Sequence, residues 1–91
     1  MGFRVKKSIP LSADRQGYVY FRSRMYRELG ERRQSVIRAL CRDAGGEYAT
    51  AVLEFVTSDA GATAICLRHH LSRETLDRAV RKYYLNFPKN L

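Results

Sequence analysis

The sequence predicts an all-α protein, a single compact domain of about five helices, and three observations carry that prediction. Apolar residues recur three and four positions apart along most of the chain, the period of a helix face and not the alternation of a half-buried strand. Short glycine-bearing or polar breaks separate the periodic stretches. With 91 residues, 45% of them hydrophobic and including six Tyr and four Phe, there is material for one core and not for two.

Residues 1–12 carry Arg4, Lys6 and Lys7 ahead of Ile9 and Pro10 and show no helical period. They read as a flexible basic arm before a helical domain at 13–91. Ser12 or Asp14 is placed to cap a first helix whose apolar side is Tyr18, Phe21, Met25 and Leu29, with Gly30 ending it. Tyr18 to Phe21 also suits a strand, but the helical spacing continues to Leu29 and decides for a helix.

A second helix is expected from Glu31 to Asp43, burying Val36, Ile37, Leu40 and Cys41 and turning Arg32, Arg33, Arg38 and Arg42 outward. Gly45 and Gly46 stop it. From Glu47 a third helix sets Tyr48, Ala51, Val52, Phe55 and Val56 on one side, and its scarcity of charge marks it as the hub of the core and a candidate dimer surface. Thr57, Ser58 and Asp59 form a polar break before a short helix from Ala60 to His69 with Ala64, Ile65 and Cys66 inward. Ser72 caps the last helix, where Leu76, Ala79, Val80 and Tyr83 repeat at helical spacing until Pro88.

Seventeen Lys and Arg against nine Asp and Glu give a net charge of +8, unevenly spread. Residues 1–42 and 68–91 are basic, whereas 43–67 contain no cation. Arginine dominates the cations, and its planar fork suits phosphate oxygens and guanine edges. The balance points to nucleic acid as a partner. No stretch approaches the roughly 20 apolar residues of a membrane span, and the first residues lack the apolar run of a secretion signal. Lys6 also stands where an N-myristoylation signal needs Ser or Thr. A cytoplasmic protein without membrane association is expected, with Cys41 and Cys66 as reduced thiols.

The segment 60–84 meets the needs of a helix-turn-helix. Ile65 and Cys66 supply the apolar and small positions of its first helix, Leu71 follows the turn as an apolar plug, Ser72 is the cap, and Leu76 with Ala79 turns the second helix inward. The run LSRETLDRAV resembles the recognition-helix segment of the lac-repressor and resolvase-type helix-turn-helix families. Two positions depart from that pattern: His69 stands where an apolar residue is usual, and His70 replaces the glycine that takes the left-handed conformation. Across GYVYF, CRDAGGEY and LSRETLDRAVRKYY the chain also resembles small proteins of Firmicute phages and conjugative elements, which implies transcriptional control or assistance to a recombinase.

On this reading Arg73, Asp77 and Arg78, near the start of the last helix, reach base edges, Arg to guanine and Asp to cytosine. Ser72 and Thr75 bond phosphates from the cap, while Arg68, Arg81 and Lys82 neutralise the backbone on either side. The plainer alternative is a solvated helix face with pairs such as Glu74–Arg78 and Asp77–Arg81. The partner is duplex DNA, and a homodimer would lengthen the short footprint of one helix. Two competing classes remain. One is a protein-interaction module that offers Arg22, Arg24, Arg32 and Arg33 to an acidic partner such as host transcription machinery. The other is an RNA or single-strand binder stacking bases on Tyr18 with Tyr20 and Tyr83 with Tyr84.

Catalysis is not expected. Cys41, Cys66, His69 and His70 lack the paired spacing of a zinc module, and no acidic orienter or glycine turn accompanies a thiol nucleophile. Gly45 and Gly46 lack the lysine and preceding strand of a phosphate loop. No cofactor and no small-molecule substrate is expected.

Overall fold

Five α-helices carry the fold in a computed structural model that describes residues 3–91. They are α1 (Ala13–Arg24), α2 (Glu31–Gly45), α3 (Ala49–Thr57), α4 (Ala62–His69) and α5 (Arg73–Asn86), with 3₁₀ turns at Tyr26–Glu28 and Gly46–Tyr48. There is no strand among the described residues. The radius of gyration, 12.1 Å, is that of one folded domain of this length.

The segment expected to be a flexible arm is instead docked, as far as it is described; Met1 and Gly2 lie outside the described residues. Ile9 is 3% exposed. Gln16, on the inner side of α1, holds the segment in place: its side-chain oxygen accepts the Lys6 N–H at 2.9 Å, and its amide nitrogen lies 3.1 Å from the carbonyls of Lys6, Ile9 and Leu11. One side chain thus satisfies backbone groups that would otherwise be stranded next to the core.

Ser12 caps α1, its hydroxyl accepting the Arg15 N–H at 3.1 Å. The helix buries a different face from the one its apolar period marks. Gln16, Val19 and Ser23 are inside, whereas Tyr18, Phe21 and Met25 are 38%, 55% and 39% exposed. It also stops at Arg24, before Leu29, and Gly30 opens α2 as its N-cap instead of closing α1.

In α2, Ile37 and Cys41 are buried while Val36 and Leu40 are half-buried at its margin. Gly46 follows at φ 56°, ψ −122°, a conformation open to glycine and strained for any residue with a Cβ. α3 packs against α1, α2, α4 and α5, which makes it the hub anticipated from its composition. Being surrounded, it has only Thr50 in the exposed class, the rest being buried or half-buried, which leaves little of it for a dimer surface.

The last helix closes the core with Leu76, Ala79, Val80, Tyr83 and Tyr84. The Tyr83 hydroxyl lies 2.7 Å from Ser23 Oγ, a buried bond between α5 and α1. After Asn86 the chain turns back over α1. Arg15 donates to the Phe87 carbonyl at 2.6 Å, and Arg22 Nε donates to Leu91 at 3.1 Å.

Candidate nucleic-acid interface

α4 and α5 are joined by three residues, His70, Leu71 and Ser72, and each has a distinct local task. His70 adopts the left-handed conformation, φ 57°, ψ 49°, where the sequence placed a histidine in a glycine's position. This geometry lets the Leu71 N–H reach back to the Cys66 carbonyl at 3.2 Å, closing the end of α4 in a Schellman-type arrangement. Leu71 then folds inward, 9% exposed, near the buried level of Ile65 and Leu76. Ser72 accepts the Thr75 N–H at 3.0 Å and opens α5. The expected inward set of α4 is narrower than the sequence suggested. Only Ile65 is buried, Cys66 is half-buried, and Ala64 faces solvent.

The residues singled out from the sequence lie along this unit. Arg68 on α4, the cap residue Ser72, and Arg73, Asp77, Arg78, Arg81 and Lys82 on α5 are exposed, and Thr75 is half-buried. The side of α5 opposite its core contacts is therefore open. From Arg73 to Lys82 that side carries four cations and two carboxylates, Glu74 and Asp77.

Several of these side chains have internal partners. Arg73 Nε donates to Asp77 at 3.1 Å, and Arg78 pairs with Glu74 at 3.5 Å. The Ser72 hydroxyl donates to Thr75 Oγ1 at 2.8 Å, so both hydroxyls serve the cap. Of the two acid–base pairs named from spacing, Glu74–Arg78 forms, whereas Asp77 takes Arg73 and not Arg81. Arg81 instead donates to the Ser8 carbonyl at 3.0 Å, tying the docked N-terminal segment to this helix. Arg68 is paired with Glu54 of α3, and the same carboxylate accepts from His69 Nε2 at 2.7 Å. No local pattern announces these links, because Arg81 stands 73 residues from Ser8, and His69 stands 15 residues from Glu54 with Arg68 beside it. Leu67 on α4, 74% exposed, is a further surface feature that periodicity alone did not mark.

The competing readings meet less accommodating geometry. Arg22 and Arg24 are half-buried, the first bonded to Leu91 and the second to Asp59 and the Tyr20 hydroxyl, whereas Arg32 and Arg33 are the exposed members of the proposed protein-binding set. Tyr83 is fully buried and Tyr84 is 6% exposed, so this pair has no ring face to offer a base. Cys41 is buried, and desolvation pushes its thiol up to about 12, the opposite of an activated nucleophile. Among the described residues no three His, Cys, Asp or Glu side chains gather as metal ligands would. No described helix is long and apolar enough to cross a membrane.

Comparison of the chain with protein-family models, with curated proteins and with solved structures finds no match.

Proposed function

We propose that the protein binds duplex DNA, with α4 and α5 acting as a helix-turn-helix and the open side of α5 entering the major groove. The observation that carries this reading is the uninterrupted solvent exposure of the α5 cations beside a tight, internally bonded turn. A rigid turn fixes the angle at which a second helix meets a groove, and the chain-wide charge of +8 attracts phosphate at long range. The role that follows is a transcriptional regulator or recombination accessory factor of a mobile element.

The pairs on α5 do not prevent DNA contact. An exposed pair at this spacing is worth about 0.3–0.5 kcal/mol, whereas a bidentate arginine–guanine contact discriminates by about 1–3 kcal/mol. Exchanging Asp77 or Glu74 for a base edge is therefore favourable for Arg73 and Arg78. Asp77, released in the same step, can accept from cytosine. Arg68, Arg81 and Lys82 take the phosphates, and Ser72 and Thr75 hold the helix start against the backbone.

Three phosphate-facing cations give a slope of about −2.7 for log K against log salt for one protomer and about −5.4 for a homodimer. Titration of labelled random duplex, single-stranded DNA and RNA at several salt concentrations measures that slope. Duplex preference is expected. Arg73→Ala and Arg78→Ala should relax base preference in a selected-site assay, and Arg81→Ala and Lys82→Ala should weaken all duplexes alike. Equal loss on every duplex from all four changes would reject base reading, and absence of binding at low salt would reject nucleic acid altogether.

A further inference from the structure

A second site lies away from the open side of α5. An open cleft of about 250 Å³ is lined by the N-terminal segment, α1, the end of α3, the α3–α4 connection and α5. Its apolar lining includes Phe55, Val56 and Ala60, and its charged lining is Arg4, Lys6 and Arg24 against the single carboxylate of Asp59. Tyr20 and Tyr84 also line it. Apolar side chains beside converging cations are the kind of lining that ligand pockets use.

Tyr84 supplies an independent observation. The residue is 94% buried, being 6% exposed, yet its hydroxyl makes no hydrogen bond among the described residues, unlike that of Tyr83. No fully buried side-chain nitrogen or oxygen among the described residues lacks a partner, so this oxygen is not sealed from solvent, and Tyr84 is itself a lining residue of the cleft. Burial, reinforced by the nearby Tyr20, pushes the Tyr84 hydroxyl up to about 12, and at neutral pH it is a protonated donor.

Arg24 is prepared for an anion in the same place. Its guanidinium stacks over the Tyr20 ring at 5.1 Å and donates to the Tyr20 hydroxyl at 2.7 Å, which fixes the plane of the fork. Its remaining partner is Asp59, whose side chain is 69% exposed and readily returned to water. Gly61, which lines the cleft, is the N-cap of α4 and supplies no side-chain cap, so the start of that helix adds partial positive charge.

We propose that this cleft binds a small organic anion, a flat apolar body bearing one carboxylate, with the carboxylate exchanging for Asp59 on Arg24 and accepting from Tyr84. Scaled from benzene in a cavity of roughly 150 Å³, the space suits a ligand of about ten non-hydrogen atoms. The site does not depend on the DNA reading, and either can fail alone.

The test uses the full chain and phenylacetate as probe, with neutral phenylacetamide and inorganic phosphate beside it. Calorimetry gives affinity, and amide shifts in the labelled protein give location. Saturable phenylacetate binding is expected, with shifts at Val56, Ala60 and Gly61, and with phenylacetamide at least about tenfold weaker. Tyr84→Phe, which keeps the ring and the packing, should weaken phenylacetate about tenfold. Ala60→Leu, which narrows the cleft, should abolish binding. Four outcomes overturn the proposal: no saturable phenylacetate binding, equal binding of phenylacetamide, phosphate binding as tight as phenylacetate, or an unchanged affinity in Tyr84→Phe.

Discussion

Replacing His70 with glycine should stabilise the protein, and the size of the gain follows from two opposing costs. His70 is exposed, makes no side-chain hydrogen bond among the described residues and sits at φ 57°, ψ 49°. Holding a non-glycine residue there costs roughly 1–2 kcal/mol. Glycine escapes that cost but loses about 0.5–1 kcal/mol more in backbone entropy on folding. The two ranges leave a net gain of up to about 1.5 kcal/mol, centred at about 0.75 kcal/mol, which raises the melting temperature of a domain this size by about 3–6 °C. Thermal and urea unfolding followed by circular dichroism measure it. A β-branched residue has no such escape, so His70→Val should lose more than about 1 kcal/mol. If His70→Gly melts at or below the parent temperature, the turn is not strained in the way its dihedral angles imply, and the tight presentation of α5 loses its basis.

Gln16→Leu should cost about 2–4 kcal/mol, because it strands the Lys6 amide and three carbonyls, and limited trypsin digestion should then cut first at Lys6 or Lys7. Tyr83→Phe should cost about 1–2 kcal/mol by leaving Ser23 Oγ buried and unbonded, while Tyr83→Phe combined with Ser23→Ala should recover part of that loss in a double-mutant cycle. Alkaline pH should unfold the chain. Cys41 and Tyr84 are pushed up to about 12 from ordinary values of 9.0 and 10.0, and burial also raises Tyr83. These groups stay protonated in the fold while the unfolded chain ionises. Stability is therefore full below about pH 8 and falls progressively from about pH 9 toward pH 12, as a pH series of urea midpoints would record. Under native conditions a maleimide should modify half-exposed Cys66 and spare Cys41.

The helical architecture was legible because period and punctuation agree over most of the chain. Ser12 and Ser72 cap where their hydroxyls suggested, Gly46 takes a turn that only glycine adopts easily, and the charge-poor third helix is the hub. α1 was misread for a physical reason. Hydrophobic periodicity assumes that what is buried is apolar, and the inner face of α1 is Gln16, Val19 and Ser23. Two of those three are polar, and each is buried because a distant group meets it: backbone from 6–11 for Gln16, and the Tyr83 hydroxyl for Ser23. The same blindness made residues 3–12 look free.

At the candidate interface, the sequence located the turn, the cap and the polar side of α5. It missed the links from Arg68 to Glu54 and from Arg81 to Ser8, since only the folded chain brings those partners together. The cleft beside Tyr84 had no sequence signal at all. Its lining comes from the N-terminal segment, α1, α3, the α3–α4 connection and α5, and no single stretch shows their convergence.

The arginines that reach from α1 to the carbonyls of Phe87 and Leu91 also constrain how the molecule comes into being. During synthesis the first helix emerges long before the segment that will satisfy it. A nascent portion lacking residues 87–91 should therefore leave the α1 arginines unsatisfied and stay protease-sensitive, settling only once that segment has left the exit tunnel.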